Sequence, residues 1–185
     1  MVKRIKSIIS KYFPSWWYFY LYRRAFQKLI KNDRTKRDSS FKALVQKFHE
    51  QRGLQIGVRN QKFSPVWTSV DLYDMSDFID FHYDIMNLEF PDAQFDIAVC
   101  NAVLEHVPDP QKAISELGRV LKPGGEIWIE VPFNQPFHPS PQDYWRVSHL
   151  GMQEWMKAFE QIDCGYFLSQ GSPIHSSVYY HGKKK

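Results

Sequence analysis

An α/β fold built on a mostly parallel sheet is the expectation for this chain, and three observations carry it. The stretch from Phe95 to Pro132, FDIAVCNAVLEHVPDPQKAISELGRVLKPGGEIWIEVP, reads as strand, helix and strand without a gap. Two short apolar runs precede it, Leu54-Gln55-Ile56-Gly57 and Trp67 to Leu72. Two further strand-like runs follow, Ile162 to Leu168 and Ser176 to Tyr180, separated by Gly171-Ser172-Pro173.

Each element has a local cause. Phe95 to Cys100 is apolar apart from Asp96, as a strand buried on both faces requires. Asp109 is placed to cap a helix, with Pro110 at the first helical position, where its missing N–H costs nothing. Ala113, Ile114, Leu117, Val120 and Leu121 then form one apolar stripe at helical spacing. Lys122-Pro123-Gly124-Gly125 ends that helix. Ile127, Ile129 and Val131 alternate with Glu126, Trp128 and Glu130, which is strand periodicity. A strand–helix–strand unit of this kind implies parallel strands joined by a right-handed crossover.

Upstream, Asp38 or Ser39 is expected to cap a helix with Phe41, Leu44, Val45 and Phe48 on one face, closed by Gly53 and lying on the sheet. The connection between the first two strands is short and contains Pro65, so a loop or single turn is expected there. Asp77 to Asp84 reads as a short third strand. His149 to Phe159 reads as a helix through Met152, Trp155, Met156 and Phe159. Lys183-Lys184-Lys185 is expected to be a frayed, solvated end. The whole reads as a Rossmann-like, mostly parallel sheet flanked by helices, with a C-terminal antiparallel hairpin.

Charge divides the 185 residues unevenly. Residues 1–40 hold eleven Lys/Arg against Asp33 and Asp38, while the rest is mildly acidic, so the net charge of +4 comes from the front end. A basic footprint for nucleic acid across the whole domain is absent. The expected division is a basic aromatic segment with its linker over 1–37, the linker running from Asn32 to Ser40, and one domain over 38–185. In residues 1–30, Trp16, Trp17 and several tyrosines lie between Lys and Arg, a composition that suits a lipid headgroup boundary. The same residues also suit packing on protein, and the run from Tyr12 to Tyr22 is too short and polar to span a bilayer. Cys100 and Cys164 show no metal spacing and read as reduced thiols of a cytoplasmic protein, at the inner membrane face if the front end meets lipid.

In an open α/β sheet, ligands bind beyond the carboxyl ends of the strands. Those ends carry Gly57, Asp71, Asp84, Asn101 and Pro132. Glycine allows close approach to the backbone, and an acid after the second strand can hold a ribose diol. Here the chain resembles the class I S-adenosylmethionine-dependent methyltransferases, in particular the small bacterial type 11-like members. The similar stretches are LQIGVRN, WTSVDL, YDIMNLEF, FDIAVCNAVLEHV, ELGRVLKPGG and VPFNQPFHPSPQDYWR, together covering about residues 54–150. The last of these is similar to a segment in members associated with surface-glycan gene clusters.

The resemblance implies S-adenosylmethionine as cofactor. It implies Gly57 beside the methionine part, Asp71 with Leu72 at the ribose, Asp84 with Ile85 at the adenine, and Asn101 under the sulfonium. The chain departs from the family pattern at Gln55, where the family has an acid, and at Arg59, where it has a second glycine. Gln55 can still hydrogen-bond the cofactor's ammonium group. His106, His138 and Asp143 are the candidate proton-handling residues, and Tyr144 and Arg146 the candidate substrate contacts. The rival reading of His106 is a hydrogen bond to loop backbone, and that of Asp143 and Arg146 is a pair that stabilises a lid. No metal-ligand spacing and no Ser-His-Asp arrangement is evident. The expected activity is methyl transfer, at oxygen of a small or glycan- or lipid-linked acceptor. The alternative is a non-catalytic methyltransferase-like binding or scaffold module.

Overall fold

The computed structural model describes residues 34–58, 60–168 and 175–185. Residues 1–33, Arg59 and residues 169–174, Gly171-Ser172-Pro173 among them, lie outside the described residues. Six strands form one sheet. They are β1 (Gly53–Ile56), β2 (Thr68–Val70), β3 (Phe95–Asn101), β4 (Leu121–Asn134), β5 (Phe159–Leu168) and β6 (Ser176–Lys184). Their order across the sheet is β2-β1-β3-β4-β6-β5. Pairings among β1 to β4 are parallel, and both pairings of β6 are antiparallel. The predicted fold class is therefore the observed one, hairpin included.

The helices are α1 (Arg34–Lys47), α2 (Pro110–Val120) and α3 (His149–Trp155). The α2 cap is as expected: the Lys112 N–H donates to Asp109 Oδ1 at 3.0 Å, with Pro110 first in the helix. Its stripe, Ala113, Ile114, Leu117 and Val120, is buried against one face of the sheet, in the cluster that holds Leu54, Cys100, Ile127 and Ile129. The opposite face carries Ile97, Val99, Trp128 and Tyr179, covered by Leu44 and Phe48 from around α1. β4 is thus buried on both faces, and its alternation sorts side chains between two cores rather than between core and solvent.

Several boundaries differ from expectation, each for a tertiary reason. α1 starts at Arg34, so residues 34–40 are helix rather than linker. Long-range contacts pin this turn: Arg34 Nη1 donates to Leu168 O at 2.9 Å, Lys36 Nζ to Asp163 at 2.6 Å, and Arg37 Nε to Glu130 Oε1 at 2.6 Å. The Asp77–Asp84 strand shrinks to a single parallel bridge, Val70 with Phe81. Asp80 Oδ2 there accepts from the Ser69 N–H at 2.8 Å, beside backbone bonds from the Phe81 N–H to Ser69 O and from the Asp71 N–H to Phe81 O. α3 stops at Trp155, because Met156 to Ala158 turn the chain and Phe159 begins β5. The lysine tail is not frayed: Lys183 and Lys184 belong to β6, and Lys184 Nζ donates to Leu121 O at 2.7 Å. Both cysteines are free thiols. No helix among the described residues is long and apolar enough to cross a membrane.

Candidate cofactor cleft

The cleft opens where β1, β2 and β3 end. After Ile56 the chain turns at Gly57 with φ +74°, and a Cβ there would lie 2.4 Å from Val103 Cγ2 and 3.0 Å from Asn101 O. Backbone and space both demand glycine. After β2, the N–H groups of Tyr73 and Asp74 each donate to Asp71 Oδ1 at 2.9 Å. That fixes the carboxylate and leaves Oδ2 without a hydrogen bond among the described residues. Asp84 Oδ1 accepts from the Met86 N–H at 2.8 Å, which orders the turn that buries Ile85. Asn101 ends β3, and its buried Oδ1 accepts no hydrogen bond among the described residues.

Gly57, Asp71, Leu72, Asp84, Ile85 and Asn101 line a single cleft of about 760 Å³. His106, His138 and Tyr144 line it as well. Of the expected cofactor residues, Gln55 alone does not. It borders an adjoining cavity of about 460 Å³ that shares Gly57 and Asn101. Its amide is engaged, with Oε1 accepting from the Phe63 N–H at 2.9 Å and Nε2 donating to Gln61 O at 3.3 Å. Gln55 thus shapes the loop after β1.

Asp143 and Arg146 do not line the cleft. Arg146 donates through Nε to Gln135 O, through Nη1 to Asp143 and Trp145 O, and through Nη2 to Asp143 and Pro136 O. All five donors are used within the loop, so none remains for an acceptor molecule. The Asp143 side chain is fully buried and also accepts from the His138 N–H at 2.7 Å. The Arg146 hydrogen bonds hold its carboxyl well below the usual carboxylate range, which makes it a poor proton acceptor. The pair is a brace for the loop over residues 135–146, and the catalytic and substrate-binding readings of these two residues are corrected accordingly. The same loop is tied to the turn after β3 by the Tyr144 N–H, which donates to Glu105 O at 2.7 Å.

His106 and His138 keep a chemical role available. Nδ1 of His106 lies 2.5 Å from Gln142 O and Nδ1 of His138 lies 2.9 Å from Pro136 O. A carbonyl only accepts, so each Nδ1 carries the proton and, in the neutral ring, each Nε2 carries a lone pair. The loop-backbone contact expected for His106 is therefore real, and it orients the ring. The residue reading also missed Tyr83, Met86 and Val103, which line the cleft as neighbours of Asp84 and Asn101. It missed Glu105, which is fully buried beneath the two histidines.

A sheet reversed only at β6, with Gly, Asp, Asp and Asn around one cleft at its carboxyl edge, is the architecture of the class I S-adenosylmethionine-dependent methyltransferases. Residues 42–129 match the family model for a methyltransferase domain. An uncharacterized methyltransferase of Mycobacterium tuberculosis is 48% identical over 55 residues, 30% of this chain and 27% of its own length. The ubiquinone biosynthesis O-methyltransferase of Klebsiella pneumoniae is 46% identical over 38 residues, 20% of this chain and 16% of its own. The chain thus aligns with about a quarter or less of the length of these two curated relatives. Among solved structures, the Burkholderia thailandensis 1,6-didemethyltoxoflavin-N1-methyltransferase, with bound 1,6-didemethyltoxoflavin and S-adenosylhomocysteine, superposes with a TM-score of 0.62 at 15% identity. The match covers 94% of this chain and 91% of that one. At that identity the likeness is one of fold.

Proposed function

We propose that the cleft binds S-adenosylmethionine and that the protein transfers its methyl group to an oxygen of a small or glycan- or lipid-linked acceptor. The observation that carries this reading is the pair of uncommitted acceptors, Asp71 Oδ2 and Asn101 Oδ1, flanking Gly57 in one cleft. A ribose diol suits the Asp71 carboxylate, and an ammonium N–H suits the buried Asn101 oxygen. Asp84, Ile85, Tyr83 and Met86 supply the edge and apolar walls for a purine. The residues fit the group.

The bound cofactor supplies a methyl carbon on a positively charged sulfur, open to in-line displacement. The protein's part is to hold the acceptor in line and take its proton. Nε2 of His106 or of His138, each with its tautomer set by a backbone carbonyl, is the available base. The Klebsiella relative's name, an O-methyltransferase, favours oxygen. Tyr144, half-exposed at the cleft, is the remaining candidate contact for the acceptor. The basic aromatic residues 1–30 suit a lipid surface, which would bring a lipid-linked acceptor to the cleft.

Calorimetric titration of S-adenosylmethionine and S-adenosylhomocysteine into the full chain tests the cofactor site, and release of S-adenosylhomocysteine in an acceptor screen tests the transfer. Saturable binding is the expected result. No binding of either compound at millimolar concentration favours the non-catalytic module, a reading supported by one observation, the engagement of Gln55 by its own loop.

A further inference from the structure

Three side chains from two separate stretches meet at the acceptor side of the cleft. Glu105 and His106 belong to the 3-10 turn after β3, and His138 to the loop after β4. Glu105 Oε1 lies 3.7 Å from His106 Nε2 and 3.8 Å from His138 Nε2, and the three ligand atoms are all within 4.8 Å of one another. These separations are too long for hydrogen bonds. Two ligands of one ion can lie no further apart than twice a metal–ligand distance of roughly 2.0–2.2 Å. Both Glu105–His spacings fall inside that limit.

The protonation pattern points the same way. Nδ1–H of His106 donates to Gln142 O and Nδ1–H of His138 to Pro136 O. Arg146 Nη2 lies 3.2 Å from His138 Nδ1, yet its two protons already go to Pro136 O and Asp143. His138 Nδ1 is therefore a donor, not an acceptor. Two neutral imidazoles thus present Nε2 lone pairs at 3.7 and 3.8 Å from one carboxylate oxygen, a set of donor atoms that one cation can share. Backbone carbonyls accepting the distal N–H are also the usual outer support of a metal-bound histidine.

We propose that Glu105, His106 and His138 form a binding site for a divalent transition-metal ion, of the Zn²⁺ or Mn²⁺ kind, with its remaining positions open to the cleft. Two imidazole nitrogens and one carboxylate oxygen suit such ions better than Mg²⁺ or Ca²⁺. The role assigned to the ion rests on the methyl-transfer reading: an acceptor hydroxyl fills an open position, loses its proton to solvent on coordination, and is held beside Asn101. In that state both histidines are ligands rather than bases. The metal site itself does not rest on that reading.

The test is titration of Zn²⁺ and Mn²⁺ into the untagged, chelator-treated full chain without cofactor, by calorimetry for zinc and by loss of the free-ion electron paramagnetic resonance signal for manganese. One equivalent of either ion is expected to bind, with affinity at least ten-fold weaker in His138→Ala and in His106→Gln. His138 is half-exposed, so its variant folds even if changes at the buried Glu105 do not. No binding of either ion at 1 mM (roughly the weak limit of a useful site), or equal binding in wild type and both variants, overturns the proposal. S-adenosylhomocysteine binding measured on the same samples separates the two ideas. Cofactor without metal leaves the methyltransferase reading standing, and metal without cofactor leaves the metal site standing.

Discussion

Gly57 and Asp71 are the single residues on which the cofactor cleft turns. An alanine at 57 must adopt φ +74° and place its Cβ 2.4 Å from Val103 Cγ2. Gly57→Ala is expected to lower thermal stability and to abolish calorimetric binding of S-adenosylhomocysteine. Asp71→Ala removes one charge-assisted partner of a ribose diol, worth about 1.5–3 kcal/mol. Its binding constant should weaken by about 10- to 100-fold. An unchanged constant in Asp71→Ala would place the nucleoside elsewhere. Asp143 belongs at this scale through its pH dependence. Its folded pKa is depressed, so its contribution is complete above the unfolded value of about 3.9 and is lost only as pH falls through the lower folded value. Hydrogen exchange at the His138 amide, which donates to Asp143, should therefore stay slow from pH 7 to about pH 4. Asp143→Ala should make it fast throughout.

At the scale of elements, the first turn of α1 is where sequence pattern was least informative. RTKRDSS is polar and charged, which in isolation is indistinguishable from a linker. It is helical because Arg37 reaches Glu130, a carboxylate in the middle of β4 that also accepts from Trp128 Nε1 at 2.7 Å. The guanidinium also stands over the Phe41 and Phe167 rings, at 4.9 and 5.0 Å. Burial raises the Glu130 pKa, and the Arg37 charge opposes that. Arg37→Ala should cost about 3 kcal/mol by chemical denaturation at pH 7, the range for breaking a buried ion pair. The loss should shrink as pH falls below the unfolded glutamate value of about 4.3, where Glu130 becomes neutral in both states. A loss that is flat with pH would show that packing on the aromatic rings, not charge, is what Arg37 supplies. In α2 pattern sufficed for the cap and for the stripe as far as Val120, whereas the helix stops there and Leu121 to Gly125 already belong to β4. Leu117→Ala there should cost about 2–5 kcal/mol, as for other fully buried leucines.

For the whole molecule, the basic aromatic front end and the acidic domain predict behaviour that no single element carries. Liposome flotation with anionic vesicles is the measurement. The truncation that isolates the front end should remove residues 1–33 and no more, since Arg34, Lys36 and Arg37 anchor α1 to the sheet. The intact chain is expected to float with lipid and the truncated chain to remain in solution. Equal flotation of the two would remove the lipid-surface reading of residues 1–30.

Local pattern determined the class of fold, because helix and strand periods and the Asp109-Pro110 cap act within a few residues of themselves. It also determined that Gly57, Asp71, Asp84 and Asn101 share one edge, since parallel strands joined by right-handed crossovers bring their carboxyl ends together. Tertiary structure alone decided what those neighbours do. Gln55 is engaged by Phe63 and Gln61, and Asp143 with Arg146 braces a loop, because hydrogen-bond partners depend on which surfaces meet. Glu105 and His138 stand 33 positions apart in the chain, and no periodicity connects them. Their approach exists only because the loop after β4 folds back on the turn after β3, held there by the Tyr144 and Trp145 amides on Glu105 O.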